Sequence, residues 1–304
     1  MKKNLLYLSI LSFLLISSAA LSLSKNNFIS IKNPFKTEKN FAPLPVLNST
    51  SSFSLISAQG ALVIDLNSQV TLYEKEPDKK LFPASTTKII TALVAMDYYP
   101  EGYILKVDKV KIDGQKMGLI KGEQIKVSDL LNGLLVYSDN DAAEVLAENF
   151  PGGREMFVTA MNLKAKELSL ENSHFTNPSG LDENGHYSTA KDLVRVAEVA
   201  MKNPRFAEIV GTKEIVAKSV DGKNLHKLVN INALLGNVEG VLGVKTGWTE
   251  NARENLVTYL ERDNHKIMIA LLGSQDRFGE TKEIIDWIFR NYQWREVKLP
   301  FYSP

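Results

Sequence analysis

The chain has 304 residues, 44% of them hydrophobic, and its 36 basic and 35 acidic side chains leave a formal net charge of +1. This length allows one or two structural units with a large buried core. The balanced charge, without any run rich in lysine or arginine, argues against a surface for nucleic acid. The absence of cysteine excludes disulfides, thiolate metal sites and cysteine nucleophiles, and it says nothing about the redox compartment.

The N-terminal segment 1–24 predicts export from the cytoplasm. Lys2 and Lys3 precede an uncharged, leucine-rich stretch over residues 5–24. Such a segment is either a signal peptide that is cleaved or a membrane anchor that is kept, because it approaches the roughly 20 apolar residues of a spanning helix. Residues 25–54 are polar and predict a linker. Both alternatives place the rest of the chain outside the cytoplasmic membrane, in the cell envelope or secreted.

Ordered structure is predicted to begin with a β-hairpin. Residues 61–66 and 70–73 have strand patterns, and Asn67-Ser68 forms a turn between them. A helix follows Pro83-Ala84 and runs to about residue 98. Its apolar side chains lie on nearly every side, which is typical of a buried helix.

The middle of the chain predicts helices and the last third predicts strands. Helical patterns cover 127–137, 141–148 and 155–168, and a fourth helix starts after Thr189, with an acid three residues on that is typical of a cap. Strand patterns cover 214–218, 256–260 and 266–272, with a turn at Asp221-Gly222, and a final amphipathic helix covers 280–292.

This order predicts an α/β (α+β) fold in which an antiparallel sheet is flanked by helices and interrupted by an all-helical lobe. The domain would span 55–294, with 55–98 and 207–294 in the sheet lobe, 99–206 in the helical lobe and 295–304 as a C-terminal tail. We expect the functional site in the cleft between the lobes.

Ser85 and Lys88 are a candidate nucleophile and its base. They lie three residues apart at the start of a predicted helix, so their side chains share one face. A serine hydroxyl needs a base to accept its proton, and a lysine can do so when burial and nearby positive charge lower its pKa. The pattern alone is weak, because Ser22/Lys25 and Ser188/Lys191 also match it.

Ser138-Asp139-Asn140 lies between two predicted helices. The hydroxyl of Ser138 could pass a proton to a leaving amine, and the amide of Asn140 could hold the Lys88 amine or a substrate carbonyl. The alternative is a helix stop followed by an N-cap for the helix at 141, in which Asp139 or Asn140 serves only as the cap.

Lys245-Thr246-Gly247 is a candidate anion site. Lysine and threonine could hold a terminal carboxylate, and Gly247 would let a substrate backbone approach. The N–H of Trp248 could join that of Ser85 as an oxyanion hole, where one donor stabilises a transition state by about 3–4 kcal/mol. The alternative is a glycine turn beside an edge strand. In this order, the three motifs predict an acyl-transfer site.

These motifs resemble the Ser-x-x-Lys, Ser-x-Asn and Lys-Thr-Gly set of penicillin-binding proteins and serine β-lactamases. Residues 83–88, 130–143, 177–182 with 185–189, and 243–249 are similar to the signature stretches of the serine-type D-alanyl-D-alanine carboxypeptidases, the low-molecular-mass penicillin-binding proteins. The resemblance covers about 55–294 and implies a β-lactamase/transpeptidase-like fold.

This resemblance also implies a function. The terminal D-alanine of peptidoglycan stem peptides would be removed through an acyl-enzyme on Ser85, which penicillins would also acylate, without a metal or organic cofactor. Two departures stand out. Family members often have glycine where this chain has Arg253, and they often carry a second β-rich domain with a C-terminal anchor, which the sequence does not show. Any membrane attachment is therefore expected at the N-terminal segment.

Two other functions compete. A class A-like β-lactamase needs a glutamate that activates the deacylating water, and its nearest imitation here is Glu167, which we interpret as a solvated helix residue. A non-catalytic wall-binding scaffold would be favoured by loss of a catalytic residue, yet all are present. Histidines 174, 186, 226 and 265 show no metal-ligand spacing, and we expect the first two to order the loop at 177–182.

Overall fold

The computed structural model describes residues 42–48, 53, 56–108 and 112–296. The predicted export segment 1–24, most of the predicted linker 25–54 and nearly all of the predicted tail lie outside this part of the chain. The contacts group the chain from Ala42 onward into a single compact unit. No helix in the described ranges combines the length and the apolar character that crossing a bilayer requires.

The strands are, in chain order, β1 (Leu44–Leu47), β2 (Gly60–Asp65), β3 (Val70–Lys75), β4 (Ile104–Lys106), β5 (Gln124–Lys126), β6 (Glu214–Lys218), β7 (Leu225–Val229), β8 (Val241–Thr249), β9 (Arg253–Arg262), β10 (His265–Ser274) and β11 (Tyr292–Arg295). Five of them form the main sheet in the order β3-β2-β10-β9-β8, with every neighbouring pair antiparallel. The predicted antiparallel sheet is confirmed, and β8, which carries the Lys-Thr-Gly motif, lies at its edge.

The α-helices are α1 (Lys88–Tyr98), α2 (Val127–Asn132), α3 (Asn140–Glu148), α4 (Gly153–Glu167), α5 (Ala190–Met201), α6 (Pro204–Val210) and α7 (Arg277–Asn291). A short 3₁₀ helix, Ala84–Thr87, precedes α1, and a π-helical turn, Gly133–Tyr137, follows α2. The predicted cap of α5 is confirmed, because the side chain of Thr189 accepts the N–H of Asp192. Helix α6 was not predicted, although Asn203 caps it and a proline follows.

The predicted linker boundary is wrong at one place. Leu44–Leu47 is a strand that pairs with Tyr292–Arg295, antiparallel, from Leu44 opposite Arg295 to Leu47 opposite Tyr292. The indole of Trp294 donates to the Asp65 carboxylate at 2.8 Å and fastens β11 to the sheet. The partner strands are separated by most of the chain, so local composition carries no signal of their pairing.

The main sheet separates two buried cores. Along β10, alternate side chains point to opposite faces, as the period of a strand requires. One core takes Ile267, Ile269 and Leu271 together with Ile284, Ile285 and Ile288 of α7. The other takes Met268, Ala270 and Leu272 together with the helical layer, including Ile89 and Ile90 of α1. Every residue of α1 from Lys88 to Ala95 is buried, so the helix carries the lysine of its first turn into the interior.

Candidate active site

Ser85 lies in the 3₁₀ turn that leads into α1, and Lys88 begins that helix. The residue before the serine, Ala84, has a φ of +48°, a left-handed conformation that costs a residue with a side chain about 1–2 kcal/mol. The ammonium nitrogen of Lys88 lies 2.8 Å from Ser85 Oγ. The predicted pairing of these two side chains on one face is therefore present in the structure.

Lys88 is fully buried and has two further hydrogen-bond acceptors. Its Nζ donates to Asn140 Oδ1 at 2.7 Å and to the carbonyl oxygen of Ser179 at 2.6 Å. Burial lowers the pKa of Lys88 from 10.5 to about 7, while the carboxylates of Asp139, Glu144 and Asp141 oppose the shift. A buried amine with this pKa can be neutral near pH 7, as a base for Ser85 must be.

Ser138 follows the π-helical turn with a φ of +70° and a buried side chain. Such turns and left-handed residues concentrate at functional sites. The alternative interpretation, in which Asp139 or Asn140 only caps a helix, is wrong for the side chains. Asp139 is the N-cap residue of α3 but makes no side-chain cap hydrogen bond, and the amide of Asn140 bonds Lys88 instead.

Lys245 brings the second and third motifs together. Its Nζ donates to Ser138 Oγ at 2.8 Å and to the carbonyl oxygen of Thr246 at 2.9 Å. Burial lowers the pKa of Lys245 well below its usual value, and the positive charges of Lys88 and Arg277 lower it further. The side chain of Thr246 is buried beside it.

Gly247 is the point at which the edge strand meets the nucleophile's turn. A Cβ built on this glycine would lie 3.1 Å from the backbone nitrogen of Ser85, and as close to the Pro83 carbonyl oxygen and to Ala84 Cβ. A side chain at 247 would therefore require the backbone of β8 or the turn at 83–85 to move by a few tenths of an ångström. The next residue, Trp248, has 63% of its surface exposed, and its indole makes no close packing in the core.

The loop at 177–182 closes the other side of Lys88. Gly180 has a φ of +85°, and a Cβ there would overlap the carbonyl oxygen of Ala84. This contact brings the Ser179 carbonyl to Lys88. The carboxylate of Asp182 accepts Thr249 Oγ1 at 2.7 Å and links the loop to the end of β8.

His186 orders this loop, as expected. Its Nε2 lies 2.9 Å from Thr87 Oγ1 and its Nδ1 accepts the N–H of Thr176 at 3.0 Å. Burial lowers the pKa of His186 to about 4, so the ring is neutral. In the described ranges, no group of three histidine or acidic side chains could hold a metal ion.

Three side chains that lie close to the buried lysines or to the Lys-Thr-Gly strand were given no chemical role in the sequence analysis. Asp139 is buried beside both lysines, and neither carboxyl oxygen has a hydrogen-bond partner among the described residues. Burial and the nearby Asp141 raise the pKa of Asp139 to about 8. Asp141 accepts three backbone N–H groups of the loop at 117–119. Arg277 donates to the Gly247 carbonyl at 2.8 Å and adds positive charge behind β8. Of the three, only Asp139 could have been found from the sequence, because it lies within the Ser138-Asp139-Asn140 motif.

The competing residues lie elsewhere. Glu167 ends α4 with 63% of its side chain exposed and bonds Lys164, so it is placed as a solvated helix residue. At the second Ser-x-x-Lys match, the Lys191 ammonium is exposed and lies 3.2 Å from Asp78, while Ser188 is buried and its hydroxyl lies 2.8 Å from Ser173 Oγ. Ser22 and Lys25 are outside the described residues.

Arg253 has a φ of +58° at the first position of β9. This left-handed conformation is one that glycine adopts without steric cost. Glycine therefore suits position 253 better than arginine does.

Known proteins are similar to this chain in sequence and in fold. The family profile of D-alanyl-D-alanine carboxypeptidase matches residues 48–276. The chain is 35% identical over 246 residues to D-alanyl-D-alanine carboxypeptidase DacF of Bacillus subtilis, which covers 78% of this chain and 63% of that protein. It is 35% identical over 242 residues to D-alanyl-D-alanine carboxypeptidase DacB2 of Mycobacterium tuberculosis, with 76% and 82% covered.

Among solved structures, a DD-transpeptidase from Streptomyces superposes with a TM-score of 0.74 at 30% identity, over 79% of this chain and all of that one. The match to the Bacillus relative spans less than two thirds of that protein's length. The order of the three motifs, their convergence around two buried lysines and these similarities agree, and the chain belongs to the D-alanyl-D-alanine carboxypeptidase family.

Proposed function

We propose that this protein is a serine-type D-Ala-D-Ala carboxypeptidase, which removes the terminal D-alanine from peptidoglycan stem peptides and is acylated by penicillins. The observation that carries the proposal is the fully buried Lys88 amine, 2.8 Å from Ser85 Oγ, with a pKa lowered to about 7. A lysine that stayed charged could not accept the serine's proton.

In the acylation step, Ser85 Oγ attacks the carbonyl carbon of the penultimate D-alanine as its proton passes to Lys88 Nζ. The developing oxyanion would accept the N–H groups of Ser85 and Trp248. Support for this pairing is the close approach of β8 to the Ser85 nitrogen at Gly247. Two such donors would each stabilise the transition state by about 3–4 kcal/mol.

The C-terminal carboxylate of the substrate would bind Lys245 and Thr246, with Arg277 adding to the positive potential. Ser138, which bonds Lys245 Nζ, is suited to pass a proton to the leaving amine of D-alanine. Asn140 holds the Lys88 amine in place through its Oδ1. Water then hydrolyses the acyl-enzyme and returns Ser85 to its free state, so the cycle consumes one water and releases D-alanine.

The β-lactamase alternative has less support. Its deacylating glutamate would have to reach the acyl-enzyme, whereas Glu167 is exposed at the end of α4 and paired with Lys164. A wall-binding scaffold without catalysis would have no need for a buried lysine whose pKa is lowered to about 7. Transfer to an amine instead of water uses the same groups, and one structural neighbour is a DD-transpeptidase.

The test uses the purified full chain with a peptide that ends in D-Ala-D-Ala and with a fluorescent penicillin. We expect release of free D-alanine and covalent labelling in the wild type, and neither in Ser85→Ala. Ser188→Ala, at the second Ser-x-x-Lys match, is the matched control and should retain both. Labelling without D-alanine release would favour the scaffold, and rapid turnover of penicillin would favour the lactamase.

We also propose that the protein acts outside the cytoplasmic membrane, exported by segment 1–24. The support is the sequence pattern of that segment and the location of its proposed substrate. Whether the segment is cleaved or kept as an anchor is decided by the N-terminal residue of the mature protein. A new N-terminus near residue 20–25 would mean cleavage, and an intact one in the membrane fraction would mean an anchor.

A further inference from the structure

A buried histidine–glutamate pair lies outside the proposed catalytic set. His226 on β7 and Glu123 before β5 are both buried, and His226 Nε2 lies 2.7 Å from Glu123 Oε1. The other ring nitrogen, Nδ1, lies 2.9 Å from the carbonyl oxygen of Met117. A carbonyl oxygen can only accept, so Nδ1 carries a hydrogen and donates it. The second Glu123 oxygen accepts the N–H of Ile120 at 3.2 Å.

The proton arrangement of this pair follows from the geometry. Because Nδ1 is a donor, Nε2 either carries a second proton toward a carboxylate or accepts one from a carboxylic acid. Both forms keep the hydrogen bond from Nδ1 to Met117. The pair therefore ties the β6–β7 hairpin to the segment 113–119, which we call the clamp loop.

The clamp loop also holds the active-site asparagine. The side-chain Nδ2 of Asn140 donates to the Asp113 carbonyl at 2.6 Å, and its backbone N–H donates to the Gln115 carbonyl at 2.8 Å. Gly114 passes so close that a Cβ there would lie 2.8 Å from Asn140 Nδ2. Since Nδ2 faces a carbonyl, the opposite atom, Oδ1, must face Lys88. The loop thus fixes which end of the amide meets the lysine.

A second attachment keeps the loop on the same helix. The carboxylate of Asp141 accepts the N–H groups of Met117, Gly118 and Leu119 at 2.9–3.1 Å. Met117 is held from both sides, by Asp141 through its nitrogen and by His226 through its oxygen. A displacement of this residue would therefore move the loop that orients Asn140.

We infer that His226, held by Glu123, is a positioning residue for acylation: it fixes the clamp loop so that Asn140 Oδ1 accepts from the Lys88 amine. This inference rests on the proposed function. The competing explanation is that the pair only satisfies buried polar groups and contributes to stability alone.

Two substitutions at His226 separate these explanations. The amide nitrogen of His226→Asn stands where Nδ1 does and can still donate to Met117, whereas that of His226→Gln stands where Nε2 does and cannot. We expect the second-order rate of penicillin acylation to stay within about threefold of wild type in His226→Asn and to fall about tenfold or more in His226→Gln, since small misplacements of catalytic groups cost one to two powers of ten.

A double-mutant cycle with Asn140→Ala sharpens the test. If His226 acts through Asn140, His226→Gln should cause little further loss of acylation once the amide is gone. Equal losses in His226→Asn and His226→Gln, or full additivity with Asn140→Ala, would overturn the inference. Asp65→Asn, which changes a buried carboxylate that bonds Ser68 and Trp294, controls for general loss of stability.

Failure of the positioning role can be distinguished from failure of the proposed function. A wild-type protein that penicillin does not acylate contradicts the proposed function itself. A wild type that is acylated, with an unaffected His226→Gln, contradicts only the positioning role. Thermal unfolding is measured for each variant, and Asp141→Asn, which loosens the loop from its other attachment, gives the same prediction if His226→Gln does not fold.

Discussion

The two buried lysines of the site have the same side chain in two different electrostatic surroundings. Lys88 has three hydrogen-bond acceptors, from Ser85, Asn140 and Ser179, and three carboxyl groups near it oppose the effect of burial on its pKa. Lys245 has two acceptors, and its strongest charged neighbours are the cations Lys88 and Arg277.

This difference in surroundings suits Lys88 to act as a base and Lys245 to bind an anion. The pKa of Lys88 is lowered to about 7, so its amine can gain and lose a proton near neutral pH. Burial lowers the pKa of Lys245 well below its usual value, the cations Lys88 and Arg277 lower it further, and the nearby carboxyl of Asp139 compensates only in part. A carboxylate placed beside Lys245 would supply that compensation and favour its ammonium form. The substrate's own C-terminus has the required charge, so its binding would be coupled to protonation of Lys245.

Arginine substitution should give the largest contrast between the lysines. A guanidinium stays protonated in proteins and cannot act as a base. We expect Lys88→Arg to lower the acylation rate about 10³-fold, within the range of general-base effects. Lys245→Arg keeps a cation for the carboxylate and should lose much less. The rates are measured with a fluorescent penicillin and with the D-Ala-D-Ala peptide, and similar losses in both variants would contradict the division of roles.

The next effect concerns the substrate's carboxylate. Lys245→Met should lower kcat/KM for a peptide with a free C-terminus by about 10²-fold, as expected when a charged hydrogen bond of about 3 kcal/mol is lost. A peptide whose C-terminus is amidated lacks the charge, so its slower reaction should be nearly the same in wild type and Lys245→Met. An equal loss for both peptides would mean that Lys245 acts on the chemical step and not on the carboxylate.

The pH dependence of acylation reports the state of Lys88. Only the neutral amine accepts the serine's proton, so the rate should rise tenfold per pH unit below about 7 and level off above it. The charge of Glu144 favours the ammonium form of Lys88. Glu144→Gln should therefore move the rising limb of the pH–rate profile to lower pH. Glu167→Gln, on the exposed end of α4, is the matched control and should leave the limb in place. A limb that is unchanged in Glu144→Gln would contradict the electrostatic account of Lys88.

The sequence predicted the parts of the site that depend on neighbours along the chain. Ser85 and Lys88 are one helical turn apart, so helix geometry alone brings them together. The strand that carries Lys-Thr-Gly lies at the edge of the sheet, but it was not among the predicted strands, and an edge strand was considered there only as the alternative to an anion site. The convergence of Lys245 on Ser138, across 107 residues, was expected from the family resemblance and not from spacing.

Other parts of the site and of the fold could not be predicted from the residues around them in the chain. The Ser179 carbonyl and the clamp-loop carbonyls bind through backbone atoms, which any residue type supplies. His226 and Glu123 are 103 residues apart and meet only through folding. Likewise, the strand at Leu44–Leu47 exists because β11 lies beside it. Each of these features depends on a long-range partner, and composition or periodicity reports only nearby ones.

Gly247 tests how closely the strand of Lys245 must approach the turn of Ser85. An alanine Cβ would lie 3.1 Å from three backbone or Cβ atoms of residues 83–85, so one of the two elements must shift. We expect Gly247→Ala to cost about 1–3 kcal/mol in the free energy of unfolding, as overpacking does, and to slow acylation about tenfold. Gly102→Ala is the matched control, because a Cβ at Gly102 contacts nothing within 4 Å. Wild-type acylation in Gly247→Ala would mean that the approach of β8 is not needed for the oxyanion hole.

The smallest effect is expected at the nearby β8–β9 turn, two register positions from Gly247, where Arg253 begins β9 with a φ of +58°. Glycine removes a steric cost of about 1–2 kcal/mol in this conformation, and part of that gain is offset by its greater freedom in the unfolded chain. Arg253→Gly should therefore raise the free energy of unfolding by about 0.5–1 kcal/mol, whereas Arg253→Ala keeps the strain and should not. Chemical denaturation measures both. The side chain of Arg253 is exposed and no catalytic group bonds it, so acylation should be unchanged. The strain at this turn would then affect stability and not the environment of Lys245. A change in acylation with Arg253→Gly would instead show that the turn transmits its conformation to the Lys-Thr-Gly segment.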